Sequence, residues 1–237
     1  MCMKTSAELK QIAKSSLQGK WGAAIMLNLV PVLLNVILTI IPVMLAIFGW
    51  IFLSRNFDVT IESLNGDNIA DFWDRSSTLI GSLFFMGISW THLALVRNRS
   101  TQIMPLENNL QGFKAGVIGN NFFINIMIFI LTALWSMLFV IPGIIKTYSY
   151  SQVNYLFYDR LEHNEPVQVM DVITDSRRLM NGHKGRLFML DLSFIGWHIL
   201  AALSFGIGYL WLTPYINATK AAFYQDLIEN NYEFGLQ

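Results

Sequence analysis

Over its 237 residues the chain is 54% hydrophobic and 14% charged, with a formal net charge of zero, against roughly 45–50% and 25% in ordinary soluble domains. Seventeen Phe, seven Trp and eight Tyr overfill a soluble core of this size, and zero net charge excludes the basic balance of a nucleic-acid binder. The single cysteine, Cys2, can close no intramolecular disulfide and has no zinc-ligand partner, so the composition points to one integral membrane domain, residues 1–237.

Residues 5–18 read as a short amphipathic helix. Thr5 and Glu8 have capping-box spacing. Leu9, Ile12, Ala13, Ser16 and Leu17 fall on one face and Lys10, Lys14 and Gln18 on the other, a pattern suited to an anionic membrane surface. The alternative is a helix that packs its apolar face on its neighbours. This start is too polar and the following apolar run too long for a cleavable signal peptide. That run, Trp21–Leu53, predicts one long span of about 50 Å, kinked at Pro31 and Pro42. An acidic loop follows over 54–77, with Asp58, Glu62, Asp67, Asp71 and Asp74 against Arg55 and Arg75 and a turn at Asn65-Gly66. Leu79–Val96 reads as the second span, closed by Arg97-Asn98-Arg99.

A short surface helix is predicted from Pro105. Residues 117–160 are too long for one crossing, and Ile141-Pro142-Gly143 predicts a tight turn between two spans. Pro166 opens a third amphipathic helix whose face is Val169, Val172, Ile173, Ser176, Leu179 and Met180. Its acids come early and its arginines late, as the helix dipole favours. A fifth span runs to about Leu203, a turn follows at Ser204–Gly208, and Tyr209–Ile228 reads as the sixth. The expected fold is therefore an all-α polytopic bundle, about six transmembrane helices in three hairpins, each preceded by an interfacial amphipathic helix.

Charge placement sets the orientation. Lys4, Lys10, Lys14, Lys20, Arg97, Arg99, Lys114, Arg160, Arg177, Arg178, Lys184 and Arg186 share one side with both termini. Arg55 and Arg75 lie on the other. The positive-inside rule then places the N- and C-termini in the cytoplasm, with the chain in the plasma membrane.

Three junctions look alike: Leu17-Gln18-Gly19-Lys20-Trp21-Gly22, Leu110-Gln111-Gly112-Phe113-Lys114-Ala115 and Met180-Asn181-Gly182-His183-Lys184-Gly185. Glycine lets the chain turn from surface to span, and a cation sits among headgroups. The junctions divide the chain into candidate repeat units at 5–97, 100–160 and 166–229, a common solution to membrane insertion being the other explanation.

The chain carries no phosphate loop, zinc-protease pair or nucleophile elbow. The four histidines, His92, His163, His183 and His198, have no acids or thiols at ligand spacing, so neither a cofactor nor an enzymatic activity is expected. The polar groups in the apolar runs are the functional candidates. Asp191 lies about one turn into the fifth span and His198 two turns on, on nearly the same face. Lys146 follows the Pro142-Gly143 turn. Asp191 can pair with Lys184 or Arg186 at the membrane edge, and Lys146 can snorkel outward. The other reading is a proton or substrate path. Asn28, Asn35, Asn125 and Asn154 are expected to join helices by hydrogen bonds, and the aromatic strip Tyr148, Tyr150, Tyr155 and Tyr158 with Phe157 to combine packing with an interfacial belt.

The stretches LWSMLFVIPGIIKTYSYS (134–151), DSRRLMNGHKGRLFMLDLSFIGW (175–197), GIGYLWLTPY (206–215) and FYQDL (223–227), with AELKQIAKSSLQGKWG at the N-terminus, resemble the bacterial integral-membrane family of domain-of-unknown-function 975. Val172-Ile173 departs from it, members tending to carry alanine then isoleucine. The resemblance implies a multi-pass plasma-membrane protein and supplies no catalytic residues. The expected function is a non-enzymatic envelope, scaffold or transport-associated role among membrane lipids and other membrane proteins. The alternative is a small transporter or channel working through Asp191 and His198.

Overall fold

Thr5 caps the first helix as its spacing predicts. In this computed structural model, which describes residues 3–56, 81, 84–98, 102–138 and 140–231, the Glu8 amide donates to Thr5 Oγ1 at 3.3 Å and the Thr5 amide to Glu8 Oε2 at 2.6 Å. Two of the orphan donors at the start of helix α1 (Ser6–Leu17) are thereby satisfied. Leu9, Ala13 and Leu17 are buried as the periodicity requires. They are buried against protein, because α1 packs along the last helix, α11 (Tyr209–Asn230). The apolar stripe of α1 is thus covered by a neighbouring helix, while Lys10, Lys14 and Gln18 lie on its other face.

Helix α2 (Trp21–Asn56) is continuous over 36 residues and runs through both Pro31 and Pro42. At 1.5 Å per residue it is about 54 Å long. The axis turns by 96° between α1 and the first part of α2. The acidic segment expected to follow lies outside the described residues, as does the start of the second apolar run. The described part of that run is α3 (Phe84–Val96). A 3₁₀ turn, Leu110–Phe113, extends α4 (Pro105–Asn109). The remaining helices are α5 (Ile118–Leu138), α6 (Val140–Tyr150), α7 (Val153–Glu162), α8 (Val169–Leu179), α9 (Lys184–Leu192) and α10 (Ile195–Leu203). The fold is all-α, with no strand among the described residues.

Among the described residues two stretches are long and apolar enough to cross a membrane, Ile118–Met137 and Lys184–Leu203, or three if the bent α1–α2 pair counts as one. The described residues thus supply two or three candidates where six are expected. The described part of α3 is shorter than a crossing needs, and several of its apolar side chains are inside the protein: Met86, Trp90 and Leu93 are buried, with Trp90 Nε1 donating to the Asn154 carbonyl at 2.8 Å and its ring against Phe157 and Tyr158. α6 ends at Tyr150, and a turn at Ser151-Gln152 separates it from α7. The second half of α11 carries Lys220 and Asp226 and is buried almost throughout from Ala218 to Ile228. In the aromatic strip Tyr150, Tyr155 and Phe157 take the packing role: all three are buried, and Tyr155 stacks on Tyr224 with centroids 5.0 Å apart.

The Ile141-Pro142-Gly143 turn is also corrected. These residues lie inside α6, whose first turn accepts Pro142 because the proline's missing N–H would find no partner there anyway. Gly143 serves close approach instead. A Cβ at Gly143 would lie 2.4 Å from Ser136 Oγ and 3.0 Å from Ser136 Cα, so α5 and α6 meet backbone to backbone.

A left-handed glycine stands before each of three helices: Gly19 (φ 75°) before α2, Gly116 (φ 86°) before α5 and Gly182 (φ 80°) before α9. Other residues pay a steric penalty in this conformation. Gly112, expected at the second junction, lies buried in the 3₁₀ turn, so the junction glycine there is Gly116. With that register each junction reads Gly-x-x-Gly: Gly19 and Gly22, Gly116 and Gly119, Gly182 and Gly185. Each second glycine is the second residue of its helix. At the same interval beyond them stand Asn28, Asn125 and Asp191. α4 packs on α2, while α8 packs on α5, α6 and α7.

The molecule thus has two parts. α1, α3, α7, α8 and the second half of α11 form a well-buried body. α2, α5, the start of α6 and α10 present large apolar side chains outward, among them Phe129 at 73% exposure, Met137 at 88% and Leu203 at 73%.

Candidate functional site

Helix α11 turns its polar residues toward several different elements. Arg97, just beyond α3, donates through Nη2 to Asp159 Oδ2 at 2.9 Å and through Nη1 to Asp159 Oδ1, forming a two-pronged pair across α3 and α7. Tyr224 of α11 donates its hydroxyl to Asp159 Oδ2 at 2.5 Å. Arg97 Nε reaches Gln225 Oε1 at 2.7 Å. The Asp159 side chain is fully buried and that of Arg97 only 8% exposed, so planar, two-pronged geometry is what allows these charges to leave water together.

One residue further along α11, Asp226 is also fully buried. It accepts from Arg186 Nη2 of α9 at 2.7 Å and from the Lys4 backbone amide at 3.2 Å. The Arg186 guanidinium also lies 5.2 Å from the Phe223 ring centroid. Lys4 Nζ is 2.7 Å from Glu229 Oε2. Burial pulls the Lys4 ammonium down, but the hydrogen bond and charge of Glu229 and the charge of Asp226 outweigh it and leave the group above its usual range. Burial pushes the Glu229 carboxyl up, and its bonds from Lys4 and Gln225 bring it below the ordinary value. The segment Phe223-Tyr224-Gln225-Asp226-Leu227 therefore fastens α3, α7, α9 and the N-terminus to one helix. Its sequence was visible from the start, but its partners are not near it in the chain.

The expected residues lie elsewhere and do not converge. Asp191 pairs with Lys220 Nζ at 3.2 Å and accepts from the Tyr148 hydroxyl at 3.2 Å, not from Lys184 or Arg186. This joins α6, α9 and α11. His198 is exposed and rests against Tyr209 with centroids 5.7 Å apart. A short turn at Ser193-Phe194 lies between His198 and Asp191 along the chain. Lys146 Nζ sits 4.3 Å over the Trp135 ring, a cation–π contact between α5 and α6. Gly182 makes the turn it was expected to make, and Lys184 begins α9.

The asparagines divide. Asn28 Oδ1 accepts from Asn217 Nδ2 at 2.8 Å and ties α2 to α11. Asn125 instead bonds back to Asn121 within α5, and it is the Asn154 carbonyl, not its side chain, that holds Trp90. His92 is buried with Nδ1 2.8 Å from the Ile88 carbonyl. Among the described residues no three His, Cys, Asp or Glu side chains are grouped to hold a metal ion.

A cavity of about 500 Å³ lies apart from these charge clusters, between α1, the start of α2, α10 and α11. Its lining is Trp21, Trp197, Leu200, Trp211 and Tyr215, with Lys14 at the rim and Ala201, Ser204 and Gly208 behind.

No curated protein and no solved structure matches the chain. The profile of one family matches residues 1–149 and, in an overlapping second segment, 137–231. The segments carrying the helix junctions and the Phe223–Leu227 fastening both fall within it, and the chain belongs to the family described as "Protein of unknown function (DUF975)".

Proposed function

We propose that the protein is a multi-pass plasma-membrane component with cytoplasmic termini that works without catalysis, as a scaffold or transport-associated element for lipids and other membrane proteins. The observation that carries this reading is the division of one chain into a body locked by ion pairs and a set of helices with outward apolar faces. Exposed apolar area of this extent needs a partner surface, and a bilayer supplies one. The buried arginines and acids, meanwhile, hold helices in place.

The finer architecture of three helix–junction–hairpin units also belongs to this proposal. One shift along the chain carries Gly116 to Gly182, Gly119 to Gly185, Asn125 to Asp191, Phe157 to Phe223 and Tyr158 to Tyr224. Packing follows the same order. α4 of the second unit lies on α2 of the first, α8 of the third lies on the helices of the second, and α1 of the first lies on α11 of the third. Three duplicated units closing head to tail would produce that sequence of contacts.

Cysteine labelling in intact cells, after Cys2 is replaced, tests the arrangement. A cysteine at Asn65 reacts with an impermeant maleimide and one at Asn181 reacts only after permeabilisation. Labelling of both from outside, or of neither, overturns the topology. Co-purification from native membranes then identifies the lipids and proteins the body holds.

A further inference from the structure

We infer that the cavity between α1, α10 and α11 is a binding site for one anionic glycerophospholipid, its acyl chain between Trp197 and Trp211 and its phosphate at Lys14. The inference rests on the membrane reading above and adds a ligand to it.

The volume of about 500 Å³ falls in the range of ordinary ligand sites, about 300–1,000 Å³. Its walls are apolar and open. Trp197, Leu200 and Trp211 are each more than half exposed, and they adjoin the outward face of α10, where Ile199 and Leu203 are exposed as well. α10 belongs to a stretch long and apolar enough to cross a membrane. What meets such a groove sideways in a bilayer is a hydrocarbon chain.

The back of the groove is built for close fit. A Cβ at Gly208 would lie 2.7 Å from Ala201 Cα, so α10 and α11 touch there and leave the space in front of them. In the turn between them the Ser204 hydroxyl is fully engaged, since its Oγ donates to the Ala201 carbonyl at 2.7 Å and accepts from the Gly208 amide at 2.8 Å. An apolar chain can lie across it without stripping water from an unpaired donor.

Charge selects the headgroup. Lys14 is exposed and stands on the rim. Lys10, one turn earlier on the same helix, is fixed over the Phe194 ring at 4.2 Å and donates to the Ser193 carbonyl at 3.1 Å. Lys10 thereby holds α1 against the α9–α10 break and steadies the rim. Trp21, at the start of α2, and Tyr215 have the amphipathic rings favoured at headgroup level. A phosphate beside Lys14 and a chain beside the tryptophans satisfy both chemistries at once.

Tryptophan quenching by lipids brominated on their acyl chains tests the site, with the full chain reconstituted in phosphatidylcholine vesicles. Brominated phosphatidylglycerol is expected to reach half-maximal quenching at about a fivefold lower mole fraction than brominated phosphatidylcholine, the factor one surface lysine supplies. Lys14→Glu and Lys14→Gln remove the difference, while Lys114→Glu, the same charge change at the second junction, keeps it. Equal quenching by both lipids in the unaltered protein overturns the site, and so does a preference that survives Lys14→Glu. In both cases quenching itself persists and the membrane reading stands. Absence of quenching by either lipid removes the membrane reading and the site with it.

Discussion

Replacing Asp159 by alanine is the sharpest perturbation of the charge network. The carboxylate is fully buried and accepts three bonds, two from the Arg97 guanidinium and one from Tyr224. Truncation leaves a guanidinium that is 8% exposed without its main counter-charge. Breaking a buried pair from one side costs about 3–5 kcal/mol. Two groups remain to soften the loss: Gln225 Oε1 at 2.7 Å from Arg97 Nε, and Glu162 at 3.7 Å from Nη1. The expected destabilisation is therefore about 3 kcal/mol, at the lower end of that range. Thermal or denaturant unfolding in detergent, followed by far-ultraviolet circular dichroism, measures it. Arg97→Met together with Asp159→Leu removes both charges and is expected to recover at least half of the loss, since no charge is stranded. A single Asp159→Ala effect below about 1 kcal/mol, in the range of an exposed pair, refutes the claim that this pair fastens α3 to α7 and α11. So does a double variant no better than the single one.

Three further outcomes follow from the backbone and the termini. Gly19→Ala is expected to cost about 1–2 kcal/mol because φ is +75°. Gly22→Ala, where a Cβ meets open space, is neutral or stabilising by up to about 1 kcal/mol, and comparing the two melting curves separates the turn from the helix. Gly87→Ala places a Cβ 2.3 Å from the Asn108 carbonyl oxygen, a backbone atom with little room to yield, so a loss of about 1–3 kcal/mol is expected in the same assay. The Lys4–Glu229 clasp sets a pH window for the N-terminus. The depressed Glu229 carboxyl contributes stability above its ordinary value of 4.5 that is lost as pH falls through its lowered value. The raised Lys4 ammonium contributes stability below 10.5 that is lost as pH rises through its raised value. Proteolysis near Lys4 should then be slowest between those limits, and Glu229→Gln should abolish the acid-side change.

What was legible in the sequence was local. The Thr5–Glu8 box, the buried face of α1 and the turn at Gly182 all follow from spacing within a few residues, where chain geometry alone decides, and the single long helix α2 follows from the length of its apolar run. The number of spans was not legible. Hydrophobicity says that a side chain avoids water but not whether lipid or protein covers it, and Trp90, Leu93 and Tyr155 went to protein. Ion-pair partners were not legible either. Arg186 and Asp191 sit close together on α9, yet Arg186 turns to Asp226 and Asp191 to Lys220, because the residues that meet them depend on how α11 lies across α9. The same holds for the second junction, which the sequence places at Gly112 and the positive φ places at Gly116.

Asp191 is where these threads meet. An acid in an apolar stretch invites a functional reading by default, but its place after Gly182 is the place Asn28 holds after Gly19 and Asn125 after Gly116. The position asks for a polar group that can hydrogen-bond near a helix junction, and asparagine meets that need twice. What is particular to Asp191 is the charge, and Lys220 answers it from α11 at 3.2 Å, with side chains 29% and 38% exposed. If the charge is only a matched pair, Asp191→Asn costs about 1 kcal/mol or less at this exposure, and Asp191→Asn with Lys220→Gln costs no more than the single change. The Tyr148 bond, which an amide oxygen can still accept, persists in both. If the acid instead carries protons or substrate, the double variant unfolds like the unaltered protein but reproduces whatever cellular phenotype deletion of the chain produces. A double variant without that phenotype leaves Asp191 as the charged version of a structural asparagine.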